Sequence, residues 1–168
     1  MGTAQHSRPG IASTIAGFVA AADSTVRLVA PASLTQLALR VALAIPFWRS
    51  GVNKWDGFLQ LNDTAIFLFT SEFKLHLPGG PYAFPAPEIA AFAAGSAEIV
   101  LPILLVLGLA TRFAALGLLI MTLVVQLTVP DGWPLHATWA AMALGLITYG
   151  AGRLSLDHAA SGARRSSP

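Results

Sequence analysis

Four apolar stretches constrain this chain more than any other feature. They run over about residues 34–52, 88–109, 113–129 and 133–150. About 20 helical residues cover the hydrocarbon core of a bilayer, so each stretch has a membrane-crossing length. The second carries a single charge between Ile89 and Leu109, Glu98, close to its centre. An ionisable group at that depth costs roughly 3 kcal/mol or more unless it finds a partner. The expected fold is an all-α membrane protein, an antiparallel four-transmembrane-helix bundle with amphipathic interfacial helices.

Composition agrees with that expectation. Only 11% of the 168 residues are charged, against about 25% in a typical soluble domain, and the mean hydropathy is +0.66. A net charge of +2 gives no argument for nucleic acid as a partner. The chain has no cysteine, so it forms no disulfide, offers no thiol nucleophile and holds no iron–sulfur cluster. Redox chemistry would need a bound cofactor or a partner. His6, His76, His136 and His158 show no ligand spacing, so no metal site is expected, and no nucleotide loop or nucleophile elbow is present.

Three segments organise the chain: an N-terminal amphipathic segment over 1–32, a four-helix membrane domain over 33–158, and a disordered basic tail over 159–168. Ile11 to Ala22 follows Arg8 and loosely resembles a signal peptide. The adopted reading is a surface helix over Thr14 to Ala30, with Asp23 and Arg27 on its wet side. The outer loop, 53–87, begins with Phe58, Leu61, Ala65, Phe69 and Phe73 at helical spacing, which predicts an interfacial helix from Asp56 to Lys74. Leu77 to Pro87 is a proline-punctuated loop, suited to a lid or a docking surface. Pro46 and Pro102 predict kinks, and Pro102 removes the usual donor to the Glu98 carbonyl. Ala93, Ala97, Gly117 and Gly145 are read as packing residues.

Short turns at Gly108–Arg112 and Pro130–Gly132 make neighbouring helices antiparallel. Arg8, Arg27, Arg112, Arg153, Arg164 and Arg165 then share one side, and Lys54 and Lys74 the other. The excess of basic residues places both termini in the cytoplasm. Counted from the start of the first stretch, Arg40 lies about 9 Å deep, Arg49 about 22 Å and Glu98 about 15 Å. An Arg40–Glu98 or Arg49–Glu98 pair is therefore expected, as a functional centre or as a structural lock. Arg49, Asn53, Lys54, Asp56, Glu88, Gln126, Asp131 and His136 gather toward the outer face. Among them Arg49, Gln126 and His136, with Trp139, could hold a quinone head group, His136 exchanging protons. The plainer reading is a set of polar helix ends at an interface.

Three motifs resemble the DoxX family of small four-helix bacterial membrane proteins. Arg40 is followed by Phe47 and by Gly51-Val52-Asn53-Lys54; Glu98 precedes Gly108-Leu109-Ala110-Thr111-Arg112; and the last stretch closes on Gly150-Ala151-Gly152-Arg153-Leu154-Ser155-Leu156-Asp157. The resemblance covers about residues 34–158. It implies a multi-pass protein of the bacterial inner membrane, with Arg40, Lys54, Glu98 and Arg112 as the family's polar positions. Related proteins include a subunit of a thiosulfate:quinone oxidoreductase and members linked to thiol homeostasis. An accessory subunit of a quinone-linked redox system, held in the bilayer beside a protein partner, is thus the first functional expectation. A non-catalytic anchor or assembly factor is the alternative, and self-association stays open.

Overall fold

The structure, a computed structural model, describes residues 11–165, apart from the side chains of 13, 14, 27, 29 and 163–165. His6, Arg8 and the last three residues of the expected tail lie outside that range, as do the side chains of Arg27, Arg164 and Arg165. Helix α1 (Ile11–Val29) matches the expected N-terminal helix and is broken from the next at Ala30–Pro31. The four long helices follow as α2 (Ala32–Val52), α4 (Pro87–Leu107), α5 (Thr111–Thr128) and α6 (Trp133–Tyr149). All four fall within about two residues of the apolar stretches that predict them.

α2 packs on α4 and α6, and α5 packs on α4 and α6, which closes a four-helix arrangement. Leu43, Phe47, Leu105, Leu118 and Leu146 form its centre, with Ala44, Ala114, Ala115 and Ala143 letting the helices approach. The outward faces are also apolar: Phe113 is 79% exposed, Leu123 57% and Ile120 54%. A soluble bundle would place charged residues there. α4 and α5 are long and apolar enough to cross a membrane by length and composition. α2 carries Arg40 and Arg49, and α6 has 17 residues.

Two expectations are corrected by the backbone. The segment from Asp56 to Lys74 is not one helix. Strands β1 (Trp55–Gly57) and β2 (Gln60–Leu61) form a hairpin, and only then come α3 (Asp63–Phe67) and a π-helical turn (Leu68–Glu72). Asn62 ends the hairpin and starts the helix, its side-chain oxygen accepting from the Ala65 N–H at 2.7 Å, which is N-cap chemistry. A second hairpin, β3 (Lys74–Leu75) with β4 (Tyr82–Ala83), leads back to α4. Residues 159–165 of the tail, expected to be disordered, are helical as part of α7 (Leu156–Arg165).

Candidate functional site

α2 comes into close contact with α4 at Gly51. A Cβ there would stand 2.9 Å from the carbonyl carbon, carbonyl oxygen and Cβ of Glu98, so no larger residue fits without moving the helices apart. The chain then turns out of α2, and Lys54 reaches back over the contact. Its ammonium donates to Glu98 Oε2 at 2.5 Å, to Ser50 Oγ at 2.8 Å and to the Ser50 carbonyl at 3.3 Å. The Glu98 side chain is 7% exposed and that of Lys54 13%.

This corrects the expected partner. Arg49 is exposed, and among the described residues no hydrogen bond or ion pair joins it to Glu98 or His136. Arg40 is fully buried, but its guanidinium serves backbone carbonyls at the far end of α4.

Beside the Lys54–Glu98 pair lies a cavity of about 460 Å³. Lys54, Ser50 and Glu98 form its polar end. Its walls are Ala90, Ala93, Ala94 and Ala97 of α4 and Met121, Val124 and Val125 of α5. Ala93 and Ala97 thus make room for the cavity. Phe69, Phe73 and Phe84 roof it, with ring centroids 5.2 Å apart for Phe69–Phe73 and 5.3 Å for Phe69–Phe84. The roof is fastened at two points. His76 donates its backbone N–H to the Leu127 carbonyl at 2.8 Å, and its Nδ1 lies 2.9 Å from the same oxygen. Asn62 donates its side-chain amide to the Asn53 carbonyl at 2.7 Å and its backbone N–H to the Lys54 carbonyl at 2.9 Å. Ser50 and Asn62 carry no sequence signal of a site, and His76 stands out only as one of four histidines without ligand spacing. Only the Asn–Asp–Thr run at 62–64 carried a signal, that of a helix start.

The outer cluster assembles in part. His136, 6% exposed, has Nδ1 at 2.8 Å from Gln126 Oε1, while the Gln126 amide donates to the Pro130 carbonyl at 3.0 Å. That donation fixes the amide, so Nδ1 carries the imidazole proton. Trp139 lies between His136 and Phe47, its ring tilted to each with centroids 5.2 Å apart. Gln126, His136 and Trp139 therefore stand together without Arg49, and Asp56, Glu88 and Asp131 are exposed. The Gln126–His136 bond joins α5 to α6, Trp139 joins α6 to Phe47 of α2, and none of the three lines the cavity.

At the opposite end the motif residues interlock. Gly108 ends α4 at φ 68°, with Leu109 N–H donating to Leu104 and Gly108 N–H to Leu105, a Schellman closure that needs a left-handed residue. Arg40 donates to the carbonyls of Val106 at 3.2 Å and Leu105 at 3.4 Å, and also to Leu154. A cation at these terminal carbonyls suits both their unmet acceptors and the helix dipole. Asp157 accepts from the N–H groups of Ala110 at 2.8 Å and Thr111 at 2.9 Å, which start α5. Burial alone would push its carboxyl up; the bonds from Thr111 and Ala110 and the positive charge of Arg40 outweigh that and hold it below the usual carboxylate range. Arg112 donates to the Thr148 carbonyl at 3.4 Å. Arg40, Arg112 and Asp157 thus join the end of α4, the start of α5 and the chain in and after α6. Lys54 and Glu98 face the apolar cavity between α4 and α5, whereas Arg112 and Asp157 line a more open groove of about 620 Å³ at the other end of the bundle. Among the described residues no three His, Asp or Glu side chains group as a metal site.

Apolar outward faces around a buried Lys–Glu pair define a helical membrane protein with a polar site inside it. The sequence model of the DoxX family matches residues 35–131, and the chain belongs to that family. An uncharacterized protein of Haemophilus influenzae is 32% identical over 133 residues, 72% of this chain and 80% of the relative. No solved structure matches it.

Proposed function

We propose that this DoxX-family protein crosses the cytoplasmic membrane four times, through α2, α4, α5 and α6, with both termini inside. Its role is that of an accessory subunit in a quinone-linked redox system, and the cavity at Lys54–Glu98 receives the quinone head group. The observation that carries the reading is the cavity itself: apolar walls of about 460 Å³ ending in one buried ion pair. Ligand sites of this kind bury an apolar body and orient it by a few placed polar groups.

The residues fit such a group. Of the three bonds made by the Lys54 ammonium, the one to the Ser50 carbonyl is longest, at 3.3 Å. A ligand carbonyl can replace it without breaking the ion pair. The Phe69, Phe73 and Phe84 rings offer edges and faces to a flat ring. A bound quinone would supply two-electron, two-proton acceptor chemistry, with electrons delivered by a partner protein. Lys54 would hold the head group, and Glu98 is the carboxylate placed to hold or pass a proton.

The test is binding of a short-chain quinone to the purified chain in lipid nanodiscs. Saturable binding that Ala94→Phe abolishes, with thermal stability kept, is the expected result. Binding unchanged by filling the cavity would remove the reading. Exposed Tyr82 and Leu77 on the outer loop favour the anchor role as a second reading. Deleting 77–87 would then release a partner protein while quinone binding persisted.

A further inference from the structure

The β1–β2 hairpin has a tip unsuited to water. Gly57 and Gln60 pair across it, so Phe58 and Leu59 are the two central turn residues. Water-facing tight turns favour Gly, Asn or Asp there. Here Phe58 is 95% exposed and Leu59 58% exposed, and Leu59 takes φ 57°, where glycine ordinarily stands. Two large apolar side chains are thus held outward, one in a disfavoured backbone conformation.

The hairpin is also fixed in depth. Trp55 at its base packs against Gly95, where a Cβ would stand 2.9 Å from the indole, and its ring meets Phe92 edge-on at 5.4 Å. The tip runs along α4, and the two enclose an almost wholly apolar cleft of about 440 Å³ lined by Phe58, Leu59, Ser96, Ile99 and Val100. Residues 96–100 are the middle of α4, and Val100 is 52% exposed on the helix's outward apolar face. The tip therefore continues that face at its mid-depth.

We infer that the Phe58–Leu59 tip is immersed in the lipid hydrocarbon, the hairpin dipping beside α4 with acyl chains in the cleft. β1 and β2 bond each other and α4 covers one side of the hairpin; because open strand edges and the exposed Asp56 need water or protein, the immersion is confined to the two apolar residues of the tip. The inference rests on α4 crossing the membrane.

The chain has no cysteine, so single-cysteine variants report cleanly. Phe58→Cys, Leu59→Cys, Val100→Cys and Asp131→Cys of the full chain are placed in phosphatidylcholine–phosphatidylglycerol vesicles. Each is probed with a membrane-impermeant maleimide and, after bimane labelling in detergent, with lipids carrying nitroxides along the acyl chain. Asp131→Cys, in the α5–α6 turn, should label fully. Phe58→Cys should show loss of maleimide labelling and strong acyl-nitroxide quenching, matching Val100→Cys. Leu59→Cys gives the same reading if Phe58→Cys does not accumulate. Labelling at the Asp131→Cys rate would overturn the inference by placing the tip in water. Protection without quenching would also overturn it, since protein would then cover the tip. Water-reactive Val100→Cys would instead show that α4 does not cross the membrane.

Discussion

Lys54 and Glu98 lie 44 residues apart in sequence and 2.5 Å apart in space. The pair exists because Gly51 lets α2 come within touching distance of α4 and the chain turns back immediately afterwards. Removing one partner of a buried pair leaves an uncompensated charge. Glu98→Gln should lower stability by about 3 kcal/mol, and Lys54→Met together with Glu98→Gln should recover part of that loss. Thermal unfolding of Glu98→Gln, Lys54→Met and the double variant in detergent checks the coupling; additive losses would show that the pair is not formed.

Gly51→Ala inserts a methyl group against the Glu98 backbone, which cannot rotate away. The expected cost is about 1–3 kcal/mol, as for overpacked cores. Quinone affinity should fall with it, because the same contact positions Lys54. A variant of native stability and affinity would contradict the close approach.

Asp157 supplies a pH signature at the other end of the bundle. Its folded carboxyl lies below the ordinary value near 4. The contribution of its bonds is therefore complete above that value and is lost as pH falls through the folded value. Asp157→Asn should cost about 1 kcal/mol at neutral pH, as loss of a helix cap does. Between pH 6 and pH 3 the wild-type melting temperature should fall more than that of the variant. Parallel curves would separate Asp157 from the α5 start.

Gly108→Ala tests the interlock of the motifs. A Cβ there would collide with Arg40 and Ser155, and φ 68° disfavours any side chain. A loss of at least about 1 kcal/mol is expected from the backbone alone. Circular dichroism melts would detect it, and a neutral substitution would show that Arg40 does not pass over this turn.

The helices and Glu98 were legible because apolar length and one isolated charge need no tertiary information. The partner of Glu98 was not. Depth counted along each helix assumes that helices begin level, whereas Gly51 sets the offset between α2 and α4 and brings in a lysine beyond the end of α2. The β1–β2 hairpin was masked because Phe58, Leu61 and Ala65 happen to fall at helical spacing. The outer cluster was half legible: His136 and Gln126 do pair, but as a lock between α5 and α6. The family motifs drew attention to Arg40, Arg112 and Asp157, and only the contacts show which carbonyls and N–H groups these side chains hold.

Photolabelling would show whether the Lys54–Glu98 cavity receives a quinone, as proposed. The full chain in nanodiscs would be irradiated with an azido-quinone and mapped by peptide mass spectrometry. Labels are expected on Phe69, Phe73 or the Ala90–Glu98 face of α4, competed away by unlabelled quinone. Labels confined to the Gln126–His136 region, or labels that excess quinone does not displace, would contradict it.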